Sequence, residues 1–148
     1  MIMNMKNYQF YGHATPSVKP INEQFNKVKD QRHLYDLLSQ IWCKETCAPR
    51  MQKDWSKDNM TLGQCSITAF LVQDIFGGLV YGVPLEDGNY HCFNVINKIV
   101  FDLTSEQFDD QKLDYQNVKL QKRDDHFSKI EKFQRYLLLK SKLLEKLR

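Results

Sequence analysis

At Gly77-Gly78 the spacing of apolar residues changes, and that switch restricts the fold more than any other feature of the chain. Before the glycines, Ile67, Phe70, Leu71 and Ile75, flanked by Ala69 and Val72, recur at helical spacing. After them come three runs rich in β-branched and aromatic residues: "LVYGVPL" (79–85), "YHCFNVI" (90–96) and "KIVFDLT" (98–104). The turn "EDGN" (86–89) and the polar pair Asn97-Lys98 separate these runs. The pattern predicts a helix followed by an antiparallel meander.

The flanks add helices. From Ile21 to Trp42 apolar residues recur every three or four positions, which predicts a helix with one buried stripe that stops near Pro49. Residues 49–60 read as a polar loop around Trp55, which is expected to cover the edge of a core or wall a cleft. Thr61 and Gln64 match a capping box and place Cys65 in the first turn of the next helix. Residues 104–108 predict a short helix capped by Thr104, and 117–123 a fourth strand. A last helix is expected from His126 to Arg148, with Ile130, Phe133, Leu137, Leu144 and Leu147 near one stripe. Residues 1–20, broken by Pro16 and Pro20, read as a loosely ordered segment ahead of one domain over 21–148. The fold class is α+β, with helices packed on a small antiparallel sheet.

A net charge of +3 gives no clustered basic patch of the kind nucleic acid requires, so no nucleic-acid partner is expected. No apolar run approaches the roughly 20 residues of a membrane span, and the N-terminus lacks the apolar core of a secretory leader. The chain therefore reads as cytoplasmic, with no membrane partner. In that setting its four cysteines do not form a disulfide framework. Cys43 and Cys47 stand four apart, but neither Cys65, Cys92 nor His91 completes a set with zinc-site spacing; no metal or cofactor is expected. Buried structural thiols are the plainer reading of Cys43, Cys47 and Cys92.

Cys65 is different because of where it sits. Free N–H groups and the dipole at a helix start favour thiolate over thiol, and the thiolate is the nucleophile. A nucleophile needs a base and a group to orient that base. Of the four histidines only His91 lies in a predicted core strand, whereas His126 reads as a cap or surface residue. Asp102 lies in the apolar run "IVFDL", where an unpaired carboxylate is expensive to bury. If Asn97-Lys98 is a two-residue hairpin loop, Ile96 faces Ile99, and His91 and Asp102 become diagonal neighbours on one face. That gives a Cys65, His91, Asp102 arrangement, with Gln64 or the Cys65 N–H as donors to an oxyanion. Each residue also has a structural reading: a packing thiol, a core histidine, and a carboxylate that caps the following turn. Asp74, near a helix C-terminus, is expected to pair with Arg123 or Arg135, and Asn94 to tie the sheet to a neighbouring element.

Three blocks resemble a known family. Gly63, Gln64, Cys65, Thr68, Ala69, Gln73, Asp74, Phe76, Gly77 and Gly78 are similar to the G-Q-C-x-x-T-A-x-x-x-Q-D-x-F-G-G block of the YunG-like proteins of bacteria. His91 and Asn94 match its second block, with Cys92 where an aromatic is commoner, and Asp102, Leu103, Thr104, Gln107 and Phe108 its third. The resemblance covers roughly residues 34 to 142. It implies one α+β domain in which Cys65, His91 and Asp102 belong together; it supplies no substrate. The expected chemistry is acyl transfer from, or hydrolysis of, an amide or ester through a Cys–His–Asp triad of papain-like or transglutaminase-like layout, on a small-molecule or peptide substrate. The alternative is a domain of the same fold that binds a ligand or protein and keeps these residues for structure.

Overall fold

A computed structural model describes residues 7–109 and 111–148. The meander forms: β1 (Leu79–Pro84), β2 (Tyr90–Ile96) and β3 (Ile99–Phe101) pair antiparallel, and β4 (Lys119–Leu120) adds to the free edge of β1. The spatial order is β3-β2-β1-β4. Asn97 and Lys98 make the two-residue turn, both with positive φ (49° and 70°), so Ile96 faces Ile99. The ladder ends at Phe101, and Asp102 instead bridges to Tyr11.

α1 (Gln31–Ser39), α2 (Cys65–Phe76), α3 (Arg123–Phe127) and α4 (Ile130–Lys146) complete the α+β fold. α2 packs on β2 and α4 on α2. Nearly every side chain of α2 from Ser66 to Val72 is buried, so it is the central helix rather than one with a single buried face. The main core joins Leu34 and Leu38 of α1, Leu71 and Ile75 of α2, and Leu139 and Leu143 of α4 to Ile96 and Phe101 of the sheet. Trp42 is buried with them and donates its Nε1 proton to Thr68 Oγ1 at 3.0 Å. Among the described residues no helix is long and apolar enough to cross a membrane.

The expected long first helix shrinks to α1. Asp30 caps it by accepting from the His33 N–H, and Asn22 caps a separate 3-10 turn at Glu23–Phe25. Short polar side chains that bond their own backbone interrupted the helix. Ahead of α2 the chain makes 3-10 turns at Lys44–Thr46 and Pro49–Asp54. Thr61 is not a cap: α2 begins at Cys65, and its N-cap Gln64 makes no capping bond. The last helix is divided between α3 and α4, and the buried stripe of α4 is Arg135, Tyr136, Leu139 and Leu143. Ile130, Phe133 and Leu137, expected inside, are exposed. Residues 7–20 hold no helix or strand, yet Phe10 is fully buried and Tyr11 is paired, because proline and polarity exclude a helix without excluding packing. Residues 1–6 of the segment expected to be loose lie outside the described residues.

Two polar residues fasten these layers. Asn94 donates Nδ2 to Ala69 O at 2.8 Å, tying β2 to the middle of α2. Arg123 pairs with Asp74 at 2.6 Å while its guanidinium lies over the rings of Phe70, Phe127 and Tyr136.

Candidate active site

Cys65 is the first residue of α2, where the backbone N–H groups have no acceptor within the helix. The turn before it depends on Gly63, whose φ is +70° and where an added Cβ would stand 2.6 Å from Cys47 Sγ. Ala48 N donates to Gly63 O at 3.0 Å and Gln64 Nε2 to Cys43 O at 3.0 Å, fixing that turn to the 43–48 segment.

His91 stands at the start of β2. Its Nε2 and Asp102 Oδ2 are 2.6 Å apart, and both side chains are buried. Asp102 is satisfied on every side. Tyr115 donates its hydroxyl to Oδ2 at 2.7 Å, and the Thr104 N–H and hydroxyl approach Oδ1 at 3.1 and 3.3 Å. The carboxylate therefore both orients the imidazole and caps the turn after β3. Phe108 meets the imidazole edge-on, with ring centroids 4.7 Å apart.

The other ring nitrogen of His91, Nδ1, is buried, makes no hydrogen bond to a nitrogen or oxygen, and is left to the Cys65 sulfur. Cys65 and His91 line one pocket of about 330 Å³, and the sulfur-bearing residue is only half-buried. Their charges interact. Burial works against an imidazolium at His91, but the Asp102 carboxylate and then Cys65 outweigh it and lift the ring to about 10. A hydrogen bond from the Cys92 thiol, opposed by burial and reinforced by His91, holds the Cys65 sulfur well below the usual thiol range. Cys92 is pushed the other way by that same bond, by burial and by the negative sulfur. The shifts of Cys65 and His91 both favour the thiolate–imidazolium form of the pair over thiol and neutral ring.

Gln64 takes no part in the pocket wall. It is fully buried, its amide proton is given to Cys43 O, and its Oε1 has no partner. The N–H of Cys65, at the helix start, is a donor with no acceptor within the helix. Trp55 is also elsewhere, with Nε1 bonded to Met60 O at 2.9 Å. Cys43 is partly exposed and Cys47 buried. Among the described residues no three His, Cys, Asp or Glu side chains are grouped to hold a metal ion.

Sequence reasoning gives no role to Tyr115 or Lys132, marks Gln107 only through the family block, and misplaces His126. Tyr115 is a lone aromatic in a polar loop, which is the one signal it carries. Gln107 reaches Gly63 N (3.4 Å) and Thr104 O (3.0 Å), linking the Asp102 turn to the Cys65 turn. His126 is no surface cap: it lines the pocket and bonds Gln121 and Lys132.

A sequence model of one protein family, described as "YunG protein", matches residues 30–148. A relative from Bacillus subtilis (strain 168), "Uncharacterized protein YunG", is 33% identical over 86 residues, which cover 58% of this chain and 69% of the relative. No solved structure matches.

Proposed function

The chain belongs to the YunG family, and we propose that its site is a thiol acyl-transfer centre of papain-like or transglutaminase-like type, acting on an amide or ester. The observation that carries this reading is the His91 ring. One nitrogen is fixed to a buried carboxylate, and the other has no nitrogen or oxygen partner and is left to the Cys65 sulfur in the pocket they share. A merely structural histidine would have both nitrogens satisfied.

The Cys65 thiolate attacks the acyl carbon, and the carbonyl electrons move onto oxygen, where the Cys65 N–H donates to the oxyanion. Collapse breaks the bond to the leaving nitrogen or oxygen, which takes the proton from His91 Nδ1. The product is a thioester on Cys65. Water, or an acceptor amine or alcohol, then gives a proton to His91 Nδ1 and attacks the thioester, which restores the thiolate and imidazolium. Asp102 holds Nε2–H throughout and keeps the free lone pair of the neutral ring at Nδ1. Tyr115 and Thr104 hold Asp102.

An activated ester tests the reading. p-Nitrophenyl acetate should acetylate Cys65, seen as a peptide mass increase at that residue, and release nitrophenol in a burst followed by turnover. Cys65→Ala should lose both, and His91→Gln should lose at least about a hundredfold in the acylation rate. Acetylation no faster than in the urea-unfolded chain would leave the ligand-binding alternative.

A further inference from the structure

A second built arrangement lies in the wall of the same pocket, beside the Cys65–His91 pair. Gly82 of β1 has no Cβ; one placed there would stand 2.7 Å from Gln121 Nε2. Gln121 therefore lies close against the strand, with its N–H on Val80 O at 2.9 Å and Nε2 on Lys119 O at 3.2 Å. That orients its Oε1 as an acceptor, and His126 Nε2 donates to it at 2.8 Å. Burial and the nearby Lys132 lower His126 to about 4, so the ring is neutral. Its one proton is on Nε2, which makes Nδ1 the acceptor for a Lys132 N–H at 2.9 Å.

The ammonium of Lys132 is thus aimed by a relay that begins at Gly82. Among the described residues it makes no ion pair with an aspartate or glutamate, whereas its neighbour Arg135 is paired with Glu131 at 2.6 Å. Lys129 and Arg50 add positive charge to the wall, and Asp125 is the acid that opposes them. A partly buried ammonium without a paired carboxylate is unfavourable. Burial, then Lys129, lower its pKa from the usual lysine value, and Cys92 and Cys65 offset only part of that. An anion in the pocket removes the cost.

We infer that Lys132 is the anion-binding residue of this pocket, and that the substrate is a small amide or ester bearing a carboxylate or other anionic group close to the acyl carbon. This rests on the reading of Cys65 as the nucleophile. The volume of about 330 Å³ suits a compact ligand.

Iodoacetate and iodoacetamide have nearly the same size and differ by one negative charge. Their alkylation rates at Cys65, followed by peptide mass spectrometry, give a selectivity ratio. The ratio of iodoacetate to iodoacetamide rates should exceed that of the urea-unfolded chain by about tenfold or more. Lys132→Met should remove about tenfold of the ratio, with iodoacetate slowed far more than iodoacetamide; Lys132→Arg should keep most of it. Lys146→Met, about 21 Å away along α4, should change nothing. If both reagents slow equally in Lys132→Met, or if the wild-type ratio equals that of the unfolded chain, the anion site is overturned. Should the variants not fold, protection of the wild type decides. At constant ionic strength acetate or inorganic phosphate should slow iodoacetamide at least about twofold relative to chloride. Protection by acetate alone identifies a carboxylate site, by phosphate alone a phosphate site, and by neither overturns the inference. A brisk iodoacetamide reaction without charge selectivity overturns the anion site alone; a Cys65 sluggish to both reagents overturns the proposed nucleophile with it.

Discussion

His91 Nε2 lies 2.6 Å from Asp102 Oδ2, and each side chain is only 1% exposed. A buried pair of this kind is costly to break from one side, because the surviving partner has no water to turn to. The imidazole is lifted from 6.5 in the free ring to about 10, burial opposing and Asp102 prevailing. A raised pKa contributes stability that is complete below the unfolded value and lost as pH rises through the folded one. Asp102→Asn should therefore cost about 3 kcal/mol near pH 6, and the penalty should shrink steadily towards pH 10. Urea unfolding in a Cys65→Ala background isolates the imidazole from the sulfur. A penalty constant across that window would show that His91 is not charged in the fold.

The Cys65 sulfur titrates in the opposite sense. Its pKa is depressed, through the Cys92 hydrogen bond first and His91 next, against burial. Iodoacetamide alkylation at Cys65 should accordingly be almost level from pH 7 to pH 9, where an ordinary thiol with a pKa of about 8.5 still gains several-fold. Cys92→Ala and His91→Gln should each restore a rise across that interval. A wild-type profile that climbs like a free thiol would contradict the assignment of a thiolate.

Residues close in sequence carried most of what could be read in advance. The Asn97-Lys98 turn and period-two alternation put His91 and Asp102 on one face, since a two-residue loop leaves the register little freedom. Gly77-Gly78 marked the end of α2 for a similarly local reason, both having positive φ. The start of α1 was obscured because Asn22 and Asp30 cap against their own backbone. The buried side of α4 was misread because Leu and Phe occur all round that helix, and docking against α2 chose among them. Lys132, on α4, reaches the site only through that docking, so no spacing announces it.

Gly63 fixes the approach to the nucleophile. Its φ of +70° strains any other residue, and a Cβ there would meet both Cys47 Sγ at 2.6 Å and Ala48 N at 2.9 Å. Gly63→Ala should destabilise by about 2 kcal/mol or more, a fall in melting temperature of roughly 6 °C. Cys47→Ala in the same chain should recover part of this loss, because it removes the sulfur contact but not the backbone strain. Full recovery in the double variant would mean that the conformation at Gly63 costs nothing.

Asn94 separates a lost hydrogen bond from a buried charge. It is 2% exposed, and its Nδ2 donates to Ala69 O at 2.8 Å. Asn94→Leu keeps the volume and loses one bond, so it should cost about 1–2 kcal/mol at any pH. Asn94→Asp turns a carboxylate towards a carbonyl oxygen and should cost about 3 kcal/mol or more at pH 7. Burial raises the pKa of the introduced acid, so its neutral, proton-donating form is the one the fold accepts. Stability of Asn94→Asp should then rise relative to Asn94→Leu as pH falls from 7 to 5, the direction required when the folded state binds the proton more tightly. Urea titrations of the two variants at both pH values check this. An unchanged gap between them would mean that the introduced carboxyl has swung away from Ala69 into solvent, and that the tie between β2 and α2 is looser than the 2.8 Å bond indicates.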